Sequence, residues 1–228
     1  MSIANASISF ESVPRGNIRE AVVRRILTAV MMGKFPAGHR MVVQRLAEQF
    51  GVSATPVREA LVELALIGIV ENLPNRGAVM REFGPVQIWE IYQLRRILEV
   101  EAIRCACGRI DREELEELQR AFVVLDEAPH DDLWSQQAME LDVRLHEAIA
   151  ANCGSCRLQD ELQRYGTLVQ DVRQVVGNER QAQEIAIAQH KQIILALLAG
   201  DADSAAEAMT QHIQSTAGVV VEAMYSRP

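Results

Sequence analysis

The amino-acid sequence predicts a mainly α-helical protein with two domains. Ala, Leu, Val, Glu, Gln and Arg are abundant and aromatic residues make up only 4% of the chain, a composition that favours helices over sheets. At 228 residues the chain is long enough for two compact domains. Short, punctuated segments give way to long helical ones near residue 84, so we expect a first domain at 10–84 and a second at 85–226.

The first domain is expected to begin with a helix, a turn and a shorter helix. Apolar residues recur at helical spacing from about 15 to 33, and the sequence KFPAGHR that follows contains the Pro and Gly of a turn. The second helix is expected at 43–50. Gly51 then stands where a left-handed residue commonly ends a helix.

A third helix and a hairpin complete the predicted domain. Ser53 suits the N-cap of a helix at about 54–67, and Pro56 lies in its first turn, where a missing N–H costs nothing. Two β-like runs, 69–72 and 78–81, flank the turn LPNRG. This order is the layout of a winged helix-turn-helix, which places its recognition helix in the major groove of DNA.

The rest of the chain is predicted to be an all-α antiparallel bundle. Short loops separate six segments of helical periodicity, and such loops place neighbouring helices roughly antiparallel. No strand-like pattern or internal repeat interrupts these segments. The expected helices lie near 86–108, 112–127, 131–152, 156–177, 179–199 and 202–224.

The charge of the chain is divided unevenly between these domains. The net charge is −8, yet residues 1–84 hold ten Lys/Arg and seven Asp/Glu, a balance of +3, which leaves −11 for the remainder. A mildly basic domain joined to an acidic one is consistent with a separate module that binds a polyanion.

Neither a membrane segment nor a set of disulfides is expected. No run of about 18 apolar residues occurs, and the N-terminus lacks the basic start and apolar stretch of a signal peptide. We therefore expect a cytoplasmic protein whose four cysteines are free thiols. The sequence CGSC at 153–156 has no preceding strand and no second pair at zinc-ribbon spacing, which argues against a redox or zinc role.

The start of the third helix and the tip of the hairpin hold the side chains expected to contact DNA. The hydroxyls of Ser53 and Thr55 can bond phosphates or base edges, and Arg58, about one turn into the helix, can take a phosphate or a guanine. At the hairpin tip, Arg76 suits the negative potential of a minor groove and Gly77 lets the backbone approach.

Two further arginines, Arg40 and Arg45, are candidates for phosphate contacts. The alternative interpretation is that Arg58 is a solvated helix residue paired with Glu59 or Glu63, and that NRG is only a turn. Taken together and in this order, the residues favour DNA binding.

Four short sequences of this domain form a recognisable set: GKFPAG, LAEQFGVS, TPVREAL and NRGAVM. The segment from about 15 to 82 that contains them resembles the DNA-binding domain of the GntR family of bacterial transcription regulators. The DNA-contacting positions that this resemblance implies are Thr55, Arg58, Arg76 and Gly77.

One position departs from the family pattern. Most relatives have an arginine between the serine and the threonine, where it commonly contacts a base, and this chain has Ala54. A lost bidentate guanine contact is worth about 1–3 kcal/mol of base discrimination. We therefore expect this protein to read a different operator from its relatives.

Four side chains of the bundle are expected to converge on one point. Asp142 and His146 are four residues apart, so they project from the same face of one helix. His190 and His212 lie on apolar faces of two later helices joined by a short reversal. One carboxylate and three imidazoles suit Zn²⁺, Ni²⁺, Mn²⁺ or Fe²⁺. The alternative is that these are structural histidines satisfied by hydrogen bonds in the core, which is the usual role of a histidine on a helix face, and the spacing alone does not favour a metal over it.

The bundle also carries a family resemblance, in the sequences LRRILEVEAIRCAC, LDVRLHEAIAANCGS and QHKQIILALLAGDADSAAEAMTQHI. Over about 86–224 it is similar to the FCD effector-binding domain of the FadR-like GntR subfamily. The metal ligands that the resemblance implies are Asp142, His146, His190 and His212. It also implies that Arg95 pairs with the carboxylate of an effector. Where relatives often have Glu before the third ligand, this chain has Gln189.

The sequence thus predicts a ligand-responsive transcription regulator and not an enzyme. We expect a homodimeric repressor that binds a palindromic operator in double-stranded DNA and senses a small organic acid at the metal. One alternative is a regulator whose bundle only dimerises. A second, a helical-bundle metalloenzyme, is opposed by the sequence HEAIA at 146–150, which lacks the second histidine of a zincin, and by the absence of a Glu-x-x-His pair.

Overall fold

The structure of the protein, a computed structural model, describes residues 18–176 and 180–225. Three parts of the sequence predictions lie outside these ranges: the domain start at 10–17, the helix ends and break at 177–179, and residue 226. The described residues form two compact units, which are divided between Gly84 and Pro85. Their elements confirm the predicted fold class, a winged helix-turn-helix with a small hairpin followed by an all-helical domain.

The first unit consists of three helices and a two-stranded antiparallel sheet. Val70 of the first strand pairs with Met80 of the second, and Leu73 pairs with Gly77. An isolated bridge between Arg40 and Val79 joins the segment before the second helix to the hairpin. The elements are α1 Ile18–Met31, α2 Val43–Phe50, α3 Ala54–Leu66, β1 Val70–Leu73 and β2 Gly77–Met80.

Helix α3 is held in the first unit by its apolar face. It packs against α1, α2 and β1. Val57, Leu61 and Leu64 are buried on it, against a core that includes Ile26 and Phe50. Burying one such side chain stabilises the fold by about 1.5–3 kcal/mol. This packing leaves the opposite face of α3 exposed, with Thr55, Arg58 and Val62 on it.

The joint between α2 and α3 depends on a left-handed glycine. Gly51 has φ 67°, and the N–H groups of Gly51 and Val52 donate to the carbonyls of Glu48 and Ala47 at 3.3 and 3.0 Å. Ser53 then holds the predicted N-cap position of α3 with an extended backbone. However, its hydroxyl makes no capping hydrogen bond, so the expected side-chain cap is not formed.

The second unit is a bundle of long helices. Helix α4 packs against α6, α7 and α9, and α8 packs against α5, α6 and α9. No helix of the described residues is long and apolar enough to cross a membrane, and all four cysteines are free. The helices are α4 Pro85–Ala106, α5 Arg112–Glu127, α6 Asp132–Asn152, α7 Cys156–Val176, α8 Arg180–Ala199 and α9 Ala202–Tyr225.

Aspartate caps fix where α5 and α6 begin. Asp111 accepts a hydrogen bond from the backbone N–H of Glu113 at 2.7 Å, and Asp131 accepts one from that of Trp134 at 2.8 Å. The buried indole of Trp134 also donates to the carbonyl of Leu125 at 2.8 Å, which ties α6 to α5. These bonds set the position of α6, the helix that carries two of the predicted metal ligands.

Candidate functional site: a helix-turn-helix face and a buried histidine cluster

The residues predicted to contact DNA are all exposed on the first unit, namely Arg45, Ser53, Thr55, Arg58, Arg76 and Gly77. Arg58 has no hydrogen bond or ion pair to any other described residue. Its alternative partner Glu63 is instead held by Arg19, with 2.8 Å between Nη1 and Oε2. The guanidinium of Arg58 is therefore available to an external partner.

A groove of about 370 Å³ lies between α3, the hairpin and the segment before α2. Three guanidinium-bearing side chains line it, those of Arg40, Arg58 and Arg76, together with Gly77 and Asn72. Arg45, Ser53 and Thr55 are not among its lining residues. The tertiary structure thus joins the recognition helix and the hairpin tip into one cationic concavity, which suits a phosphate backbone.

The tip of the hairpin depends on backbone conformations that glycine and asparagine adopt easily. Gly77 has φ 72° and Asn75 has φ 61°. A Cβ atom added at Gly77 would meet nothing within 4 Å, so the backbone conformation and not crowding favours glycine there.

Helices α6, α8 and α9 bring together the four residues predicted to bind a metal, Asp142, His146, His190 and His212. One ligand atom from each lies within 4.8 Å of the other three. The Nε2 atom of His190 is 3.2 Å from Nε2 of His212 and 3.4 Å from Oδ1 of Asp142. Ligand bonds of about 2.0–2.2 Å place neighbouring ligand atoms about 3.0–3.5 Å apart, so these separations fit a shared divalent ion.

Hydrogen bonds orient two of the imidazoles. Nδ1 of His146 lies 3.0 Å from a carboxylate oxygen of Glu99, and its Nε2 lies 3.3 Å from Nη2 of Arg95. Because arginine only donates, His146 donates through Nδ1 and accepts at Nε2. Nδ1 of His212 lies 3.2 Å from the amide oxygen of Gln189. Gln189 therefore accepts from His212, so the Nε2 lone pair of His212 faces the cluster, whereas the Nε2 lone pair of His146 accepts from Arg95.

Two arginine–carboxylate pairs, one buried and one partly buried, surround the histidines. Arg95 Nε donates to Glu99 at 3.1 Å, and Arg173 Nη1 donates to Asp142 at 2.9 Å. Burial raises the pKa of Glu99, but His146 and Arg95 bring it below its ordinary value. Burial also raises the pKa of Asp142, but Arg173 and then the histidines hold it well below the usual range. Both carboxyl groups are therefore ionised at neutral pH.

Glu99 and Arg173 are not among the site residues predicted from the sequence. Glu99 follows Arg95 by four residues on α4, so the spacing of an intrahelical ion pair could have indicated it. Arg173 meets Asp142 from a helix 31 residues further along the chain, and no local pattern indicates that contact.

Two of the histidines are held in the neutral form. Burial lowers the pKa of His190 to about 3, and burial lowers the pKa of His212 well below its usual value. Neutral imidazole is the form that ligates a metal. Two guanidinium groups balance two carboxylates around the histidines, so a divalent ion would add positive charge that attracts an anion.

Three buried side-chain polar atoms in the described part of the chain have no hydrogen-bond partner: the hydroxyl of Tyr92, Nη1 of Arg95 and Nδ1 of His190. Arg95 and His190 belong to the cluster or its shell, and Tyr92 lies one turn before Arg95 on α4. A buried polar group without a partner costs about 1–3 kcal/mol. Their concentration at one place indicates a site completed by a polar ligand or ion.

A cavity of about 340 Å³ opens beside the histidine cluster, at the lower end of the range for small-molecule pockets, about 300–1,000 Å³. On α4 and α6 it is lined by Arg95, Glu99, Asp142 and His146. Uncharged polar side chains of α7 face it from the other side, including Gln163, Thr167 and Gln170. His190 and His212 are not among its lining residues. The cavity therefore adjoins the cluster at His146 and Asp142.

Comparisons with known families agree with both units. Residues 18–80 match the gntR family of bacterial regulatory proteins, and residues 90–215 match the FCD domain. The HTH-type transcriptional repressor RspR of Escherichia coli (strain K12) is 24% identical over 206 residues, which are 88% of each chain.

Two solved structures share the fold. McbR/YncC of E. coli has a TM-score of 0.63 at 22% identity, over 90% of this chain and 97% of that one. The metal-free FCD domain of TM0439 has a TM-score of 0.56 at 20% identity, over 64% of this chain and 99% of that one. The matched domains and relatives are those of transcription regulators and not of enzymes. The chain therefore belongs to the gntR family of bacterial regulatory proteins, as a transcription regulator with an FCD domain.

Proposed function

We propose that this protein is a homodimeric, cytoplasmic repressor, with a DNA-binding domain at 10–84 and an effector-binding domain at 85–226. The first would bind a palindromic operator and the second would sense a small organic acid. The observation that carries the sensing role is the cavity in contact with the buried cluster of one aspartate and three histidines. The repressor role is supported by RspR, a relative named as a transcriptional repressor.

In this proposal α3 reads the major groove. Its exposed N-terminal residues Ser53, Thr55 and Arg58 contact base edges and phosphates, and Arg45 on α2 contacts the backbone. Arg76 and Gly77 at the hairpin tip meet the adjacent minor groove. Two copies of the chain would bind the two halves of the operator.

A divalent transition metal, Zn²⁺, Ni²⁺, Mn²⁺ or Fe²⁺, fits the donor set of the cluster. The residues that would hold it are Asp142, His146, His190 and His212. When bound, the metal supplies a positive charge and coordination positions for carboxylate oxygens. Arg95, which lines the cavity and has an unpartnered Nη1, would bind the carboxylate of the effector. The effector would control the operator by favouring one of two arrangements of the dimer.

The metal site is tested by metal analysis of the purified protein. Wild-type protein should contain about one divalent ion per chain, and a His190→Gln, His212→Gln double variant should contain almost none. His39→Gln is the matched control, because His39 is exposed on the first unit. If the double variant and the His39→Gln control contain the same amount of metal, the metal site is excluded. The bundle would then be a dimerisation domain whose histidines are structural.

The regulatory role is tested on DNA. Fluorescence anisotropy at fixed salt should show selective binding to the DNA upstream of the protein's own gene, and light scattering should show a dimer. With metal-loaded protein, one member of a panel of small carboxylates should raise the Tm and shift the operator Kd. The proposal fails if upstream and scrambled DNA bind equally well.

A further inference from the structure

Arg95 lies at the boundary between the histidine cluster and the cavity. Its side chain is almost fully buried, and its three guanidinium nitrogens have different surroundings. Nε donates to Glu99 at 3.1 Å, Nη2 donates to Nε2 of His146 at 3.3 Å, and Nη1 has no partner. Glu99 binds only Nε of Arg95. The two terminal nitrogens, Nη1 and Nη2, therefore form the edge of the guanidinium that can bind another group.

The contact between Arg95 and His146 uses the lone pair that a metal needs. Nδ1 of His146 carries its proton toward Glu99, so Nε2 has the only lone pair of the ring available for coordination. One imidazole lone pair accepts either an N–H donor or a metal ion. Arg95 and a metal ion therefore exclude each other at this atom.

The contact between Arg173 and Asp142 does not have this property. A carboxylate has two oxygens and about four lone-pair sites, so Asp142 can keep its bond to Arg173 at Oδ1 and still bind a metal. Arg173 is also not among the residues that line the cavity. The two arginines thus have the same charge and a similar distance to a ligand atom, and only Arg95 competes with the metal.

We propose that Arg95 couples the metal to the effector: metal binding at Nε2 of His146 releases Nη2 of Arg95, which together with Nη1 then binds the effector carboxylate. This inference rests on the proposed metal and effector sites. It makes Arg95 the link by which each ligand strengthens the binding of the other, a coupling that is reciprocal. Among the described residues that line the cavity, Arg95 is the only one with a guanidinium or ammonium group, so no other described cation there competes for the effector carboxylate.

The affinity test uses Co²⁺ as the probe, followed by its absorption spectrum in competition with a chelator. Arg95→Gln should bind Co²⁺ at least about fivefold more tightly than wild type, since typical couplings are about 5–150-fold. Arg173→Gln removes the same charge but leaves Asp142 without its orienting partner, so it should bind Co²⁺ no more tightly than wild type. Equal tightening in both variants would show a charge effect alone and overturn the proposal.

A second measurement uses the wild-type protein and does not depend on the folding of a variant. Modification of arginines by phenylglyoxal, followed by mass spectrometry, should become severalfold faster at Arg95 when Zn²⁺ is added, because Nη2 is released, and should stay constant at Arg173. An unchanged rate at Arg95 would overturn the proposal. If wild-type protein binds no Co²⁺ at all, the proposed metal site itself fails. If it binds Co²⁺ but Arg95→Gln binds no better, only the coupling fails.

Discussion

The Nε2 atoms of His190 and His212 lie 3.2 Å apart inside the bundle. Both side chains are buried, and Gln189 holds Nδ1 of His212 as the donor, so Nε2 of His212 carries a lone pair. Nε2 of His190 must therefore donate a proton to this contact or share a cation across it. A proton on Nε2 of His212 would break this contact, and burial lowers the pKa of both rings, which links the stability of the bundle to pH.

The first prediction concerns the free energy of unfolding at acidic pH. His190 has a pKa of about 3 in the folded protein and an ordinary value near 6.5 in the unfolded chain. Between these values the unfolded chain binds a proton that the folded one does not, so the free energy of unfolding falls as the pH drops. From pH 6.5 to 5 the loss should be about 2 kcal/mol for His190, with His212 acting in the same direction.

Urea titrations of metal-stripped protein measure this loss. Trp89 and Trp134 both lie in the helical unit, so tryptophan fluorescence reports its unfolding. The depressed pKa values of Glu99 and Asp142 add a further loss of stability below about pH 5, so the range from pH 7 to 5 reports mainly the histidines. A His39→Gln control should follow wild type, and a flat profile between pH 7 and 5 would contradict the buried neutral state of His190.

The second prediction separates two arginines of the DNA-binding unit. Arg58→Ala should weaken operator binding by about 1–3 kcal/mol, and more for the operator than for random DNA if it contacts a guanine. Arg45→Ala should weaken binding to the operator and to random DNA alike. It should also reduce the slope of log affinity against log salt concentration by about one. Arg112→Ala in the helical unit is the control and should change neither quantity. Anisotropy titrations at several salt concentrations make the comparison.

The third prediction concerns Ser53. Its hydroxyl makes no capping hydrogen bond, so Ser53→Ala should change the free energy of unfolding by less than about 0.5 kcal/mol while it weakens operator binding. Asp131→Ala removes a formed cap on α6 and should cost about 1 kcal/mol of stability without affecting specific DNA contacts. Circular dichroism during denaturation measures the free energy of unfolding, and fluorescence anisotropy measures operator binding. A large loss of stability in Ser53→Ala would refute the assignment of Ser53 to DNA contact.

The fourth prediction concerns Ala54, which lies in the first turn of α3. Ala54→Arg introduces the side chain that the family resemblance implies at this position, so it should change the preferred base at one position of each half-site, by about 1–3 kcal/mol. Ala54→Met, which is also long but has no group that hydrogen-bonds a base edge strongly, is the control for side-chain length. Selection from a randomised operator library would show the change, and an unaltered preference would mean that this position does not face a base.

Local patterns were sufficient to predict the elements of the fold. Gly51 marked the end of α2, and the alternation after Gly68 indicated the hairpin. The i, i+4 spacing of Asp142 and His146 placed both on one face of α6, because this spacing is a property of a single helix. The predicted strands, 69–72 and 78–81, differ by one residue at each end from the observed ones, Val70–Leu73 and Gly77–Met80. Pairing between the strands, and not the propensity of single residues, sets where the ladder ends.

The sequence by itself therefore determined the order of the elements, the family resemblance and the set of candidate ligands. Only the tertiary structure decided which charges meet: Arg173 reaches Asp142 from α7, and Arg95 reaches His146 from α4. These contacts depend on how helices distant in the chain pack and rotate against each other. No pattern within one helix specifies that packing, and for this reason the competition at Nε2 of His146 became visible only in three dimensions.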